Sequence, residues 1–206
     1  MENKKINSAL GIGLVALASV SFQLYLMIET SVTSISETII KFFSFFTILT
    51  NLMVGVYFTL LFYLGKNKIK SVIQKPEMLT AVTVYITIVG LVYQIALRHL
   101  WEPTGLQKII DELLHSIIPL LVVVYWYFYE NKKSVFYKSC FQWLIYPLVY
   151  LVYILIRGAY SNLYPYPFVN VTTLGFQKVM VNSAILVLVF LFVALLFVKM
   201  GRIINK

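Results

Sequence analysis

The segment "FFSFFTILTN", Phe42 to Asn51, sets Thr47, Thr50 and Asn51 at i, i+3 and i+4, a spacing that lines one stripe of a helix. Further along, "DELLHS" places His115 four and three residues after Asp111 and Glu112. These residue types share a chemistry. A threonine hydroxyl is a weak nucleophile until a base takes its proton, and histidine is the side chain suited to that near neutral pH. Thr47 and His115 are therefore the candidate catalytic pair, nucleophile and general base. Asp111 or Glu112, one turn back, would orient the imidazole, and Asn51, one turn from Thr47, would donate to an oxyanion. Each group also has a plain structural use. Helix threonines commonly bond their own backbone one turn back, and asparagines join helices in lipid. The combination at one depth is what points to chemistry.

Those residues sit in a chain too apolar for a soluble core. Of its 206 residues 60% are hydrophobic and 12% charged, and the mean hydropathy is +0.85. Six uncharged runs are long enough to span a bilayer: Ser8 to Ile28, Phe42 to Leu64, Met78 to Leu97, Leu113 to Tyr129, Phe141 to Ile156 and Val179 to Val198. Backbone groups in lipid must pair within the span, and the runs lack the alternation of barrel strands. The fold class is thus all-α: a polytopic integral membrane protein with six transmembrane helices, read as one domain over 1–206. The first run begins like a signal peptide, after Lys4 and Lys5, but stays apolar through Ile28 and is read as a retained span. Pro119 and Pro147 fall inside spans four and five, where they are expected to free carbonyls that neighbours must satisfy.

Charge gives the orientation. With the N-terminus inside, Lys4, Lys5, Lys66, Lys68, Lys70, Lys75, Lys132, Lys133, Lys138, Lys199, Arg202 and Lys206 are inner, and only Lys41, Arg98, Lys108, Arg157 and Lys178 are outer. Both termini are therefore expected in the cytoplasm. The net charge of +9 follows from that topology and from contact with anionic headgroups, and needs no nucleic-acid partner. The single cysteine, Cys140, permits no disulfide within the chain and no cysteine metal cluster.

Placed by depth, the polar residues gather on the outer side: Gln23 and Glu29 in span one, Thr47 and Asn51 in span two, Gln94, Arg98 and His99 at the end of span three, His115 at the start of span four, Arg157 at the end of span five, Gln177 and Asn182 at the start of span six. The inner half is almost bare. Polar groups in a membrane are costly unless they line a cavity or meet partners. The pattern predicts one pocket open to the outer leaflet and closed inward, lined by Thr47, Asn51, Gln94, His115 and Arg157. Asn51, Gln94, Arg98, Arg157 and Asn182 are the substrate-binding candidates, with Arg98 or Arg157 able to hold a carboxylate. "YPYPF", Tyr164 to Phe168, combines two X-Pro steps with three aromatics and is expected to form a structured lid with Arg157.

The segments "FFTILTN" and "LLHSIIPLLVVVYW" resemble the two motifs of the androgen-induced membrane protein family. Its animal members hydrolyse fatty acid esters of hydroxy fatty acids with an intramembrane Thr and His, matched here by Thr47 and His115. The longer segment "YPLVYLVYILIRGAYSNLYPYPFVNV" resembles the prokaryotic six-helix Pr-six-Pr branch of that superfamily through Tyr153, Arg157, Gly158 and Tyr164 to Phe168. The resemblance runs over nearly the whole chain. It implies a multi-pass protein of the bacterial plasma membrane, a lipid substrate drawn from the bilayer, and no cofactor or metal. Two other classes compete with that reading. His99 and His115 could ligate a haem or a metal, and a six-helix bundle could carry a small solute.

Overall fold

The structure is a computed structural model that describes residues 2–67 and 72–204. Lys68, Lys70 and Lys206 of the inner basic set lie outside the described residues. Among these residues every element is helical, and six helical stretches are long and apolar enough to cross a membrane: Glu2–Glu29, Phe46–Lys66, Pro76–Leu100, Gly105–Tyr129, Ser139–Ser161 and Phe176–Ile204. The all-α, six-span fold class expected from the sequence is the one found. Boundaries differ where charge and backbone hydrogen bonding disagree. The fourth stretch begins with the amphipathic helix Gly105–Glu112, ahead of the uncharged run. The second begins at Phe46, because a separate short helix, Ile35–Phe42, precedes it. Ser34 starts that short helix by accepting from the Glu37 N–H at 3.3 Å.

The chain divides after Ser134 into two compact units. The first holds α1 (Glu2–Glu29), α2 (Ile35–Phe42), α3 (Phe46–Lys66), α4 (Pro76–Val92), α5 (Gly105–Glu112) and α6 (Ile118–Tyr129). α1 and α3 approach closely along small residues: a Cβ on Gly13 would lie 2.9 Å from the backbone nitrogen of Thr59. Lipid gives no hydrophobic drive between helices, so such close backbone packing is what holds them. The stretch containing α4 is 67% buried over its most apolar window, against 28–44% for the others, which makes α4 the centre of this unit. The Trp126 indole of α6 donates to Thr80 Oγ1 of α4 at 3.0 Å.

The second unit holds α7 (Ser139–Trp143), α8 (Ile145–Ser161), α9 (Val171–Leu174) and α10 (Phe176–Ile204). Pro147 offers no N–H to the Trp143 carbonyl, and the helix breaks at Leu144 between α7 and α8. α8 ends on Asn162 in the left-handed region (φ 55°), whose N–H returns to Gly158 O. The Tyr-Pro-Tyr-Pro-Phe segment that follows is folded. Tyr164 lies against Gly158, where any Cβ would collide with its ring. Tyr166 and Phe168 stack at 5.2 Å, Pro167–Val169 forms a 3-10 turn, and the segment packs on a core of Ile154, Val169 and Val179.

Candidate active site

Two turns of the first unit are widened to π form, Tyr93–Leu97 after α4 and Leu113–Ile117 between α5 and α6. In each a backbone N–H reaches five residues back, Arg98 to Tyr93 and Ile118 to Leu113. Such insertions re-aim side chains and concentrate at functional sites. Here they bring Tyr93 onto His115, the rings stacked at 4.1 Å with planes within 16°.

The imidazole is fixed from its other edge. His115 Nδ1 lies 3.0 Å from the Asp111 carbonyl oxygen and 3.2 Å from Asp111 Oδ1. A carbonyl oxygen only accepts, so Nδ1 carries the hydrogen and the neutral ring keeps its lone pair on Nε2. Asp111 is 4% exposed, and its second oxygen, Oδ2, accepts from the Tyr93 hydroxyl. Tyr93, Asp111 and His115 therefore form one unit that leaves Nε2 as the basic atom. Of the two acids placed one turn before His115, Asp111 is the one that holds it.

Pro119 explains how span two is attached. The π turn sends the Ile118 N–H to Leu113 O, and Pro119 has no N–H to send to Leu114 O. Asn51 Nδ2 supplies that hydrogen at 3.1 Å, and its other amide hydrogen goes to Thr47 O at 2.9 Å. The amide thus ties the turn of Thr47 to the turn of His115. Thr47 is the second residue of α3 and is 8% exposed; Asn51 is fully buried. The expectation that Asn51 donates to an oxyanion is corrected by this arrangement, since both donors are engaged by carbonyls. What it offers instead is Oδ1, which is buried and has no hydrogen-bond partner among the described residues.

Gln94 and Arg98 belong to a closed ring of four side chains. Gln94 Nε2 donates to Ser116 Oγ (2.8 Å), Ser116 Oγ to Glu112 Oε2 (2.7 Å), and Arg98 Nη1 to Gln94 Oε1 (2.8 Å). An ion pair between Arg98 Nη2 and Glu112 Oε1 closes it. Arg98 is thus already paired, and a substrate carboxylate would have to displace Glu112. The guanidinium also lies 5.8 Å from the Tyr93 ring centre, which places this ring beside the Tyr93–Asp111–His115 unit.

Arg157 and Asn182 lie in the second unit, where Arg157 binds the backbone just before the Tyr-Pro segment and Asn182 the backbone at its end. Arg157 Nη1 donates to Leu163 O at 3.2 Å and Asn182 Nδ2 to Phe168 O at 2.9 Å. Arg157 Nε is buried without a partner among the described residues. His99 is exposed in the 3-10 turn Arg98–Leu100. Among the described residues no three His, Cys, Asp or Glu gather as a metal ligand set.

Tyr93 and Ser116 are the site residues that sequence reasoning missed. Tyrosine reads as an apolar or interfacial residue in a span, and a lone serine in a helix bonds its own backbone. Nor are polar groups confined to this end. The inner half read as bare holds a cavity of about 150 Å³ at the opposite end of the same helices, bordered by Lys5, Tyr57, Tyr125, Tyr129 and Glu130.

Six helices long and apolar enough to cross a membrane define a multi-pass helical membrane protein. No known protein family, curated protein or solved structure matches the chain.

Proposed function

We propose that this protein is an intramembrane lipid ester hydrolase of the bacterial plasma membrane, acting on fatty acid esters of hydroxy fatty acids. Thr47 is the nucleophile and His115 the base. The observation that carries the reading is the Asp111–His115 pair: a buried carboxylate on Nδ1 leaves Nε2 free and basic, in the arrangement used by hydrolases with an activated hydroxyl. The Asn51 amide, bonded to Thr47 O and Leu114 O, supports it by joining the turns that carry nucleophile and base. The resemblance of "FFTILTN" and "LLHSIIPLLVVVYW" supplies the substrate class.

The sequence of steps is that of acyl transfer. Thr47 Oγ attacks the ester carbonyl as His115 Nε2 takes its proton, and Asp111 steadies the imidazolium. The tetrahedral intermediate expels the hydroxy acid, which receives the proton from His115. Water, deprotonated by the same nitrogen, then releases the fatty acid from Thr47. The chain's own groups supply each proton transfer.

The test is hydrolysis of a long-chain fatty acid ester of a hydroxy fatty acid by purified protein. Thr47→Ala and His115→Ala should each abolish turnover while the protein stays folded, since a lost helix hydroxyl costs about 1 kcal/mol at most. Thr83→Ala is the control, because Thr83 is also buried and bonds Leu79 O at 2.7 Å. It should keep full activity. A fluorophosphonate should label the wild type and not Thr47→Ala. Full turnover by Thr47→Ala would end the proposal.

A further inference from the structure

The cavity at the Glu2 end of the first unit stands apart from the Thr47 and His115 chemistry: the α3 residue of its wall nearest to Thr47 is Tyr57, about 15 Å along the helix. Its wall combines two carboxylates, Glu2 and Glu130, and two lysines, Lys5 and Lys75, with three phenols. Tyr57 and Tyr125 are 6% and 3% exposed, Tyr125 and Tyr129 pack with ring centres 4.8 Å apart, and Glu130 follows directly after α6. Glu130 Oε1 accepts from the Asn131 N–H at 2.7 Å, but Oε2 is buried and has no partner among the described residues. The cation nearest in sequence is engaged elsewhere: Lys132 Nζ donates to the carbonyls of Tyr127 and Glu130 and lies 5.2 Å from the Trp126 ring centre.

We propose that this cavity binds a primary ammonium group, with Glu130 as its counter-ion and Tyr57, Tyr125 and Tyr129 as its aromatic lining. A buried carboxylate oxygen without a donor is costly, and the missing donor is what a ligand N–H supplies. An ammonium brings three such donors, one for Oε2 and two for phenol oxygens, and its charge is favoured near tyrosine ring faces. A quaternary ammonium has no N–H and would leave Oε2 unpaired. Size limits the ligand further: 150 Å³ is room for about five water-sized groups, so only a small amine, or the aminoethyl end of a lipid headgroup, fits.

The pH dependence follows from what faces Glu130. Burial pushes its carboxyl up to about 8, against the opposing pull of the Asn131 N–H, Lys5 and Lys132. Glu2 and Lys5 from α1, Tyr57 from α3, Lys75 before α4, and Tyr125 and Tyr129 from α6 complete the surroundings. The empty site is therefore mostly protonated at neutral pH, and the arriving ammonium displaces that proton. Affinity should rise about tenfold per pH unit up to 8 and flatten above it.

The test is calorimetric titration of methylammonium into the full chain in detergent from pH 6 to 9, in buffers of different ionisation heat. Binding should tighten by about two orders of magnitude over that range, release nearly one proton at pH 7, and vanish in Glu130→Gln. Tyr57→Phe, which keeps the ring and drops one hydroxyl, should weaken it severalfold. Repeating the titration in nanodiscs separates the sources. Competition by phosphatidylethanolamine but not phosphatidylcholine identifies a lipid headgroup, and competition by neither identifies a soluble amine. No methylammonium binding at pH 9, unchanged binding in both variants, or acetate binding that strengthens as pH falls would overturn the proposal.

Discussion

Asp111 and Glu112 are adjacent acids with opposite duties. Asp111 is buried between the Tyr93 hydroxyl and His115 Nδ1, while Glu112 is paired with Arg98 and Ser116. Asp111→Asn tests the difference. The amide keeps the volume and leaves the Asp111 carbonyl on Nδ1, but it removes the carboxylate that holds the ring from Oδ1 and would steady the imidazolium. In the proposed reaction, kcat should fall by up to about 10⁴-fold with little change in KM, as expected when base orientation and not binding is lost. Glu112→Gln should leave kcat within a few fold, because it changes the Arg98 ring and not the imidazole. Equal losses in both variants would mean the two acids serve stability alone. The choice between them was not legible in the sequence. At i−4 and i−3 both reach the imidazole of a regular helix, and only the widened turn at Leu113–Ile117 decides in favour of Asp111.

At the scale of elements, the determinant is a missing hydrogen-bond donor. Pro119 in span four was legible as a source of freed carbonyls, and the Leu114 carbonyl is one, met by Asn51. The form it takes, a π turn ahead of the proline and facing a second π turn at Tyr93–Leu97, has no signature in hydrophobic periodicity. Asn51→Leu should destabilise the protein by about 1–3 kcal/mol, the cost of leaving a buried carbonyl unpaired. In a Pro119→Ala background the restored N–H lets the helix close its own bonds, so Asn51→Leu should then cost much less. A double-mutant cycle from unfolding in mixed micelles measures the coupling, which should exceed about 0.5 kcal/mol. Additive costs would show that Asn51 acts on something other than the Leu114 carbonyl.

For the whole molecule, six spans were legible because each apolar run is long and lipid admits only self-paired backbone. The Glu130 cavity was not, since its wall joins three tyrosines, which count as hydrophobic in composition, to Glu2, Lys5, Lys75 and Glu130 near helix ends, where charge looks like topology. The two polar ends of the first unit make orientation a functional question. If Lys and Arg set it, the Thr47 and His115 end faces outward and the Glu130 cavity faces the cytoplasm. Cys140 is the only cysteine and is buried, so Cys140→Ser gives a clean background for labelling. Glu102, between Leu100 and Gly105, and Lys133, between Tyr129 and Ser139, are both exposed. With a membrane-impermeant maleimide on intact cells, Glu102→Cys should label directly and Lys133→Cys only after permeabilisation. The reverse pattern would put the Thr47 end on the cytoplasmic leaflet, so that an ester substrate would have to come from inside and an amine reach Glu130 from outside.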